Sequence, residues 1–458
     1  MDRRKYFGTD GVRGAVGSDR MSPYFVVKLA RAAGRFLAEK LEREGSPSTE
    51  GSLAVILGKD TRISGYGLES AMVAGFASVG VSALQTGPLP TPGVAYLTRA
   101  FRLPMGVVIS ASHNPYGDNG IKFFGEDGRK LSDAEELRIE QLIDVEDGKP
   151  DAVAARWGRA RRIVGAQDRY VEFCKSAFPN SMSLKGLKIV VDAANGAGWD
   201  VAGKVFRELG ADVSLLGCEP NGYNINDGVG ATHPENLRAA VLAQSADYGV
   251  AIDGDGDRCL MADDEGNLYD GDDLLYVIAR GKLQDKDGLR SLGGVVGTVM
   301  CNMGLQTAFS RLGVPFARSG VGDKLVLDLM LQKGWRLGGE GSGHVIVLDK
   351  HNTGDGCIAA LQALQAERVL GKKLKEIAAE WSRIPASQGS FRLADAPNWE
   401  FRIKDETEKL RKELGDSGRV LVRPSGTEPI VRLLVEAQEM ETARRGVERL
   451  RLAALAGD

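Results

Sequence analysis

Three aspartates alternate with glycines in residues 252–258, which read IDGDGDR. This run follows the apolar stretch Tyr248–Ile252, which predicts a strand. In an extended chain Asp253, Asp255 and Asp257 would project to one side, and the glycines between them let the chain curl around a small ion. Carboxylates this close repel one another and require a cation. Because the available ligands are all oxygens, the pattern suits Mg²⁺ or Ca²⁺.

Two other interpretations of this acidic run are an EF-hand loop and a solvated turn. An EF-hand requires glycine where Arg258 stands and glutamate where Asp264 stands, so the run departs from that pattern at two positions. A solvated acidic turn requires no particular residue at these positions, so the sequence alone does not exclude that interpretation. The adjacent residues 263–266 (DDEG) predict an ordinary polar hairpin turn.

A second polar loop follows the apolar strand that opens residues 107–115 (VVISASHNP), and residues 121–124 predict a returning strand. We expect Ser112 to be exposed at the strand end, as a nucleophile or a phosphate carrier. A hydrolase serine is disfavoured, because the chain has no GxSxG and the adjacent His113 is poorly placed as a general base. An Asn-Pro turn with incidental serines is the structural alternative.

Three more glycine-rich loops carry groups that bind oxyanions or hydroxyls. Residues 419–429 (RVLVRPSGTEP) and the following Arg432 offer hydroxyl and N–H donors with two guanidinium forks, which suits a phosphate. Residues 338–344 (GGEGSGH) could bind sugar hydroxyls, and residues 8–14 (GTDGVRG) add donors and one arginine. Ordinary hairpin or flexible turns are the alternatives for all three. A P-loop is absent, because no Gly-Lys pair precedes Ser or Thr.

The elements that must position these loops repeat one pattern of strand, helix, glycine and strand. The predicted strand pairs are 53–57 with 81–85, 187–191 with 212–216, and 295–299 with 314–317. In each case a glycine follows the intervening helix, where a left-handed cap is needed, and the short connections predict parallel, right-handed crossovers. The last stretch differs, with helices predicted at 374–381 and 441–455 and strands at 419–423 and 430–436.

We therefore predict an α/β protein with three similar α/β (βαβ-type) domains followed by a smaller α+β C-terminal domain. The expected limits are 1–165 with the serine loop, 166–262 with the metal loop, 263–371 with the sugar loop, and 372–458 with the phosphate loop. A lysine-rich linker is expected at 371–374. At 458 residues the chain exceeds the size at which a single core stops growing, about 300 residues.

The composition excludes several classes of protein. A net charge of −3 disfavours a nucleic-acid coat or a membrane-surface protein. Five scattered cysteines without a CxxC pair disfavour structural zinc and a disulfide framework. The first residues lack a signal-peptide core, and no apolar run approaches the ~20 residues of a membrane span. We expect a cytoplasmic protein without nucleic-acid or membrane partners.

The motifs GTDGVRG, SASHNP, DGDGDR, GEGSGH and RPSGTEP, in this order, resemble those of the α-D-phosphohexomutase superfamily. The resemblance runs from Phe7 to Glu436, and the pair SASHNP with DGDGDR is highly specific. The wording GTDGVRG favours the bacterial glucosamine branch. Gly341 departs from that branch, which often has a larger polar residue there, and this difference bears on sugar discrimination.

The resemblance implies four domains around one central cleft, each lending one loop. Ser112 would be the phosphoserine, and one Mg²⁺ per subunit would be held by the three aspartates and a phosphate oxygen of Ser112. The implied catalytic residues are Ser112, Lys122, Arg258, His344 and Arg13. The implied substrate contacts are Glu340, Ser342 and His344 for the sugar, and Arg423, Ser425, Gly426, Thr427 and Arg432 for the non-reacting phosphate.

The implied activity interconverts glucosamine 6-phosphate and glucosamine 1-phosphate through a 1,6-bisphosphate, and so supplies UDP-N-acetylglucosamine synthesis. The family also implies a homodimer. Lys122 and His344 are both candidates for the general acid and base, and we expect metal and arginine to lower the pKa of Lys122. Alternatives are the same chemistry on glucose or mannose phosphates, a Mg²⁺-dependent sugar phosphatase, and a non-catalytic sugar-phosphate sensor.

Overall fold

The computed structural model describes residues 4–8, 10–43, 45, 53–425 and 429–455. The first unit contains β1 (Val12–Ala15), α1 (Pro23–Arg43), β2 (Ala54–Lys59), α2 (Ile63–Ser78), β3 (Ser82–Pro88), α3 (Thr91–Ala100), β4 (Met105–Ile109), β5 (Asp118–Gly125), α4 (Asp133–Asp144) and β6 (Ala160–Arg162). The second contains α5 (Ala166–Ser176), β7 (Lys188–Asp192), α6 (Ala202–Glu208), β8 (Asp212–Leu216), α7 (Glu235–Gln244), β9 (Tyr248–Ile252), β10 (Cys259–Asp263) and β11 (Leu268–Tyr269).

The third unit contains α8 (Gly271–Lys282), α9 (Gly288–Leu292), β12 (Val295–Thr298), α10 (Met303–Arg311), β13 (Phe316–Ser319), α11 (Asp323–Lys333), β14 (Leu337–Gly339), β15 (Val345–Val347), α12 (Gly356–Leu370) and α13 (Leu374–Ala378). The last contains β16 (Ala386–Arg392), α14 (Trp399–Leu414), β17 (Arg419–Pro424), β18 (Ile430–Glu436) and α15 (Met440–Leu455). Short 3₁₀ helices lie at Ala154–Arg156, Leu393–Asp395 and Gly415–Ser417.

The first three sheets share one topology, which confirms the predicted repeat. Their strand orders are β1-β5-β4-β2-β3-β6, β11-β10-β9-β7-β8 and β13-β12-β14-β15. The predicted crossovers β2–β3, β7–β8 and β12–β13 are all parallel. In each sheet one strand, β4, β9 or β14, pairs in parallel with the strand that opens the crossover (β2, β7 or β12) and antiparallel with the strand that follows it along the chain.

Glycines end the crossover helices as predicted, with φ of +84° at Gly80, +102° at Gly210 and +67° at Gly313. The predicted strand 314–317 begins two residues late, at Phe316. The reason is that the Val314 N–H still donates to the Phe309 carbonyl of the preceding helix (2.9 Å). The predicted turn at 263–266 joins β10 to β11, which are antiparallel.

The last unit has a hydrophobic core of its own. Its three-stranded antiparallel sheet, β16-β18-β17, packs on α14 and α15. By contrast, one continuous core joins the second and third units and reaches β4 and α3 of the first. The first unit also has a large core of its own, and the shared core links it to the second and third units, whereas the fourth unit's core stands apart.

Helix α13 belongs to this shared core, although the sequence places a linker at 371–374. Leu374 and Ile377 are fully buried in the shared core with Trp381, and α13 packs on α8. The domain limits stay predictions, and we propose that the last unit begins after Trp381. Among the described residues, no helix is both long and apolar enough to cross a membrane.

The junction between β9 and the end of α12 carries a buried acid. The Glu367 carboxylate accepts hydrogen bonds from the Tyr248 hydroxyl (2.8 Å) and from the Leu374 N–H. Burial raises the pKa of Glu367 from 4.5 to about 7, against the opposing effect of these hydrogen bonds. The folded state therefore favours the protonated acid.

A raised pKa in the folded state predicts that this group's contribution to stability is fully present below about pH 4.5 and is lost as the pH rises to 7. Glu367→Gln should remove that dependence. We expect its free energy of unfolding, relative to the unsubstituted protein, to rise by up to ~3 kcal/mol between pH 4.5 and 8. Urea titrations at both pH values measure this difference. A constant difference across the range would contradict the prediction.

Candidate active site

The four motif loops occupy equivalent places in the four units. The serine loop joins β4 to β5, the aspartate loop joins β9 to β10, and the sugar loop joins β14 to β15. Each is the connection of an antiparallel hairpin, as is the phosphate loop between β17 and β18. One topological position, repeated, thus supplies the site.

The three aspartates converge at the end of β9. Asp253, Asp255 and Asp257 are buried, and one carboxylate oxygen from each lies within 4.8 Å of the others. The convergence comes from a turn rather than from extended alternation: the Gly256 N–H donates to the Asp253 carbonyl (3.0 Å), and Gly256 has φ +75°.

The electrostatics of this cluster indicate a cation site. Burial and mutual repulsion raise the pKa of Asp253 and of Asp257. Burial acts the same way on Asp255, but Lys122 outweighs it and the net effect is a lowered pKa. One oxygen each of Asp255 and Asp257 is buried without a hydrogen-bond partner among the described residues. Three converging carboxylates, two of them with an unused oxygen, fit a divalent metal ion.

Ser112 lies directly against this cluster. Its Oγ donates to Asp253 Oδ2 at 2.6 Å and lies 3.3 Å from His113 Nδ1. The expectation of an exposed serine is wrong, since Ser112 is only 2% exposed, with the loop of the second unit packed over it. Ser112 has φ +54°, a left-handed conformation that costs an ordinary residue about 1–3 kcal/mol.

A glycine lets the two loops meet. A Cβ on Gly254 would stand 2.5 Å from the Ser112 carbonyl oxygen, which leaves no room for a side chain. Burial lowers the pKa of His113 to about 4, with Arg258 and Arg13 adding to the effect, so its imidazole is neutral near pH 7.

Lys122 connects the aspartates to the N-terminal loop. Its Nζ lies 2.8 Å from Asp255, 3.0 Å from Asp10 and 3.7 Å from Asp257. Arg13 also pairs with Asp10. Within the protein alone, burial and Arg13 act to lower the pKa of Lys122, but the three carboxylates outweigh them and raise it. The amine is therefore held protonated. The lowering expected from a bound metal ion stays a prediction.

Arg258 and His344 meet as backbone neighbours. The two residues form an antiparallel bridge, and the Cys259 N–H donates to the Gly343 carbonyl (2.9 Å). Burial opposes the charge on Arg258, but Asp253, Asp257 and Glu340 outweigh it and raise its pKa. His344 is 4% exposed, and neither ring nitrogen has a hydrogen-bond partner in the described part of the chain. In the same loop Glu340 is half-buried and Ser342 exposed.

Arg423 and Arg432 lie side by side on paired strands. They line a cavity of about 350 Å³ with Gln388, Ser390 and Met300. Burial and the Arg432 charge lower the pKa of Arg423, and Glu340 is close enough to oppose this. Paired guanidinium groups in a recess suit a phosphate. Ser425 donates its N–H to the Ile430 carbonyl (2.8 Å), whereas Gly426 and Thr427 lie outside the described residues.

Sequence reasoning missed a buried chain of alternating charges between the first and third units. Lys130 pairs with Asp10 and, at 2.5 Å, with Asp323, whose Oδ2 lies 3.8 Å from His344 Nε2. Asp10 lies in the motif GTDGVRG, but no motif in the sequence around Lys130 or Asp323 indicates a functional residue. A larger cavity, about 530 Å³, borders this pair and contains none of the three aspartates.

If the aspartate cluster binds a divalent cation, millimolar Mg²⁺ should raise the melting temperature. Occupancy at 100 times the dissociation constant corresponds to about 2.7 kcal/mol. Asp257→Asn should abolish the Mg²⁺ shift without lowering stability in EDTA, since it relieves repulsion. Asp264→Asn, in the neighbouring exposed turn, is the matched control and should keep the shift. A full shift in Asp257→Asn would contradict a metal site here.

Comparisons with known proteins identify the family. Models of the phosphoglucomutase/phosphomannomutase family match residues 4–149 (alpha/beta/alpha domain I), 168–266 (domain II), 270–384 (domain III) and 355–453 (C-terminal domain). A phosphoglucosamine mutase from Neisseria subflava is 55% identical over 450 residues, which cover 98% of each chain.

Solved structures share the whole fold. A phosphoglucomutase/phosphomannomutase family protein from Burkholderia thailandensis has a TM-score of 0.79 at 23% identity and covers 99% of this chain and 98% of its own. An Aspergillus fumigatus N-acetylphosphoglucosamine mutase, in complex with GlcNAc-6P and magnesium, has a TM-score of 0.63 at 18% identity and covers 98% and 95%. With its four domain matches and its 55% identical relative, the chain belongs to the bacterial phosphoglucosamine mutases, within the α-D-phosphohexomutase superfamily.

Proposed function

We propose that this isomerase interconverts glucosamine 6-phosphate and glucosamine 1-phosphate by passing a phosphoryl group through Ser112. The observation that carries the proposal is the 2.6 Å contact between Ser112 Oγ and Asp253, inside a cluster of three buried carboxylates. The 55% identical relative supports the glucosamine substrate.

We propose that Asp253, Asp255 and Asp257 hold Mg²⁺ beside phospho-Ser112. The support is a ligand set made only of carboxylate oxygens and a similar fold whose complex contains magnesium. When bound, the ion neutralises charge on the phosphoryl oxygens. The protein adds positive charge to the same region through Lys122, Arg258 and Arg13.

In the proposed reaction the sugar O1 attacks phosphorus. The bond from phosphorus to Ser112 Oγ breaks, and a 1,6-bisphosphate forms. The bisphosphate then reorients in the site so that its 6-phosphoryl group faces Ser112, and the Ser112 oxygen takes that group back as the bond from phosphorus to the sugar O6 breaks.

Lys122 lies against the aspartate cluster as a protonated amine, at 2.8 Å from Asp255. A cation held by Asp255 and Asp257 would oppose the charge on Lys122 and lower its pKa, which would suit Lys122 to donate a proton to the departing serine oxygen. Neither ring nitrogen of His344 is hydrogen-bonded to a residue that the structure describes, so His344 is suited to accept a proton from a sugar hydroxyl.

The remaining loops hold and orient the sugar phosphate. Arg423, Ser425, Gly426, Thr427 and Arg432 are proposed to bind the non-reacting phosphate, and Glu340, Ser342 and His344 the sugar. Because these residues recognise a phosphate and not a particular carbon of the sugar, they can bind either the 1-phosphate or the 6-phosphate, as the reorientation of the bisphosphate requires. The separate core of the last unit supports its movement as a body during that reorientation. A homodimer in the cytoplasm is proposed on family resemblance and composition.

The substrate assignment predicts a preference among sugar phosphates. We expect kcat/KM for glucosamine 6-phosphate to exceed that for glucose 6-phosphate or mannose 6-phosphate by at least about 10-fold, the effect of ~1.4 kcal/mol. Coupled assays that detect each sugar 1-phosphate measure this. A preference for glucose or mannose would contradict the assignment, and release of inorganic phosphate in its place would indicate a phosphatase.

Ser112→Ala should lower turnover by at least about 10³-fold, because the variant lacks the oxygen that carries the phosphoryl group. Circular dichroism should show an unchanged fold. The matched control is Ser132→Ala, which removes the cap of α4 and costs about 1 kcal/mol of stability but should leave kcat unaltered. Near-normal turnover in Ser112→Ala would remove Ser112 from the reaction.

A further inference from the structure

Arg62 is a fully buried arginine beneath the serine loop. It stands between β2 and α2 and is the largest of the fully buried side chains in the described chain. Its Nε donates to Asp60 Oδ2 at 2.8 Å, so its charge is compensated within the first unit. The guanidinium therefore contributes oriented hydrogen-bond donors to the site rather than net positive charge.

The two terminal nitrogens of Arg62 hold the serine loop by its backbone. Nη2 donates to the carbonyls of Ser112 (2.9 Å) and Asn114 (2.7 Å). Nη1 donates to the carbonyls of Pro115 and Asp118 (3.1 Å). A planar fork thus collects four carbonyls from seven consecutive residues, a geometry that a lysine ammonium with its three donors cannot reproduce.

Asp60, the partner of Arg62, holds the N–H of Ser112 through the Ser110 hydroxyl. The Ser110 hydroxyl donates to Asp60 Oδ2 (2.6 Å) and accepts from the Ser112 N–H (2.9 Å). The N–H and the carbonyl of Ser112 are therefore both tied to the Asp60–Arg62 pair. A residue held at both ends in this way can keep the otherwise disfavoured φ of +54°.

The second unit adds one further restraint. The Asn226 side-chain amide donates to the Ser112 carbonyl (2.9 Å) and to the Asn114 carbonyl (3.1 Å), the two carbonyls that Arg62 Nη2 also binds. Asn226 alone cannot replace Arg62, because its amide binds only two of the four carbonyls that Arg62 holds. Without Arg62, the Ser112 and Asn114 carbonyls would keep the Asn226 amide and the Pro115 carbonyl would keep the Asp118 N–H (3.1 Å), but the fork that ties all four carbonyls together would be lost and the loop would relax.

We propose that Arg62 is a positioning residue that holds Ser112 in its left-handed conformation, with Oγ against Asp253, and thereby sets the rate of phosphoryl transfer and not the affinity for substrate. Arg62 acts through the loop backbone and touches neither the sugar nor the aspartate cluster. This inference rests on the proposed function of Ser112.

The test is Arg62→Lys, which keeps a cation beside Asp60 and removes the fork. A displacement of the reacting oxygen by about 1 Å corresponds to roughly a 100-fold loss of rate. We expect kcat to fall by about that factor with KM unchanged within about threefold, because the substrate's own contacts remain. The phosphate on Ser112, followed by intact mass, should also be lost to water faster than in the unsubstituted enzyme.

The matched control is Arg31→Lys. Arg31 is a largely buried arginine of the same unit that binds Glu146 (2.6 Å), Ser78 (2.7 Å) and the Lys149 carbonyl (3.0 Å), away from the serine loop. We expect a comparable fall in melting temperature and an unchanged kcat. Equal kcat losses in both variants would mean that destabilisation alone explains the effect, and would overturn the proposal.

A second variant, Arg62→Ala, allows chemical rescue at a concentration of guanidinium too low to denature the protein. The ion fits the space that the side chain leaves and can bind the same carbonyls. We expect guanidinium, but not ammonium at equal ionic strength, to restore kcat at least about 10-fold. If Arg62→Ala does not fold, Arg62→Lys decides alone.

The outcomes separate this inference from the proposed function. An unsubstituted enzyme without mutase turnover, or with turnover but no phosphate on Ser112, contradicts the proposed function. An unsubstituted enzyme that turns over through phospho-Ser112, together with an Arg62→Lys variant of unchanged kcat, overturns only the role of Arg62.

Discussion

Mutual repulsion among three buried aspartates is the constraint on which the rest of the site depends. Two unit charges at the observed spacing of up to 4.8 Å cost ~3 kcal/mol at an effective dielectric constant of 20, and three such pairs are packed at the end of β9. Lys122 pairs most closely with Asp255, and one oxygen each of Asp255 and Asp257 has no hydrogen-bond partner within the described ranges. A divalent cation would neutralise this repulsion. Its positive charge would also attract the phosphate of a phosphorylated Ser112.

The fold delivers this arrangement by repetition. In three sheets the third parallel strand turns back into an antiparallel neighbour, and the loop that connects the two strands carries one of the motifs. The first unit has a core of its own, and a second core joins the second and third units and reaches α3 and β4 of the first, so buried contacts link the units that carry the serine, aspartate and sugar loops. The fourth unit has a separate core and carries Arg423 and Arg432 on its own sheet. The serine and aspartate loops and the two arginines therefore belong to units with separate hydrophobic cores.

The sequence was sufficient for the features that are local. Apolar runs and glycine caps predicted the strands of the repeat to within about two residues, and the spacing of the aspartates predicted the cation site. It was insufficient wherever distant segments meet. The burial of Ser112 and the raised pKa of Lys122 both come from contacts across more than a hundred residues. Arg62 and Asp323 carry no motif at all, and their importance comes from what the fold places beside them.

The central claim is that one divalent cation joins the aspartate cluster to a phosphate on Ser112. Electron-nuclear double resonance on the Mn²⁺-loaded phosphoenzyme tests it directly, because ³¹P coupling to Mn²⁺ requires the phosphate to be a ligand. The account predicts a strong ³¹P coupling that disappears when Ser112 is dephosphorylated. Bound Mn²⁺ without any ³¹P coupling in an enzyme shown by mass to be phosphorylated on Ser112 would contradict it.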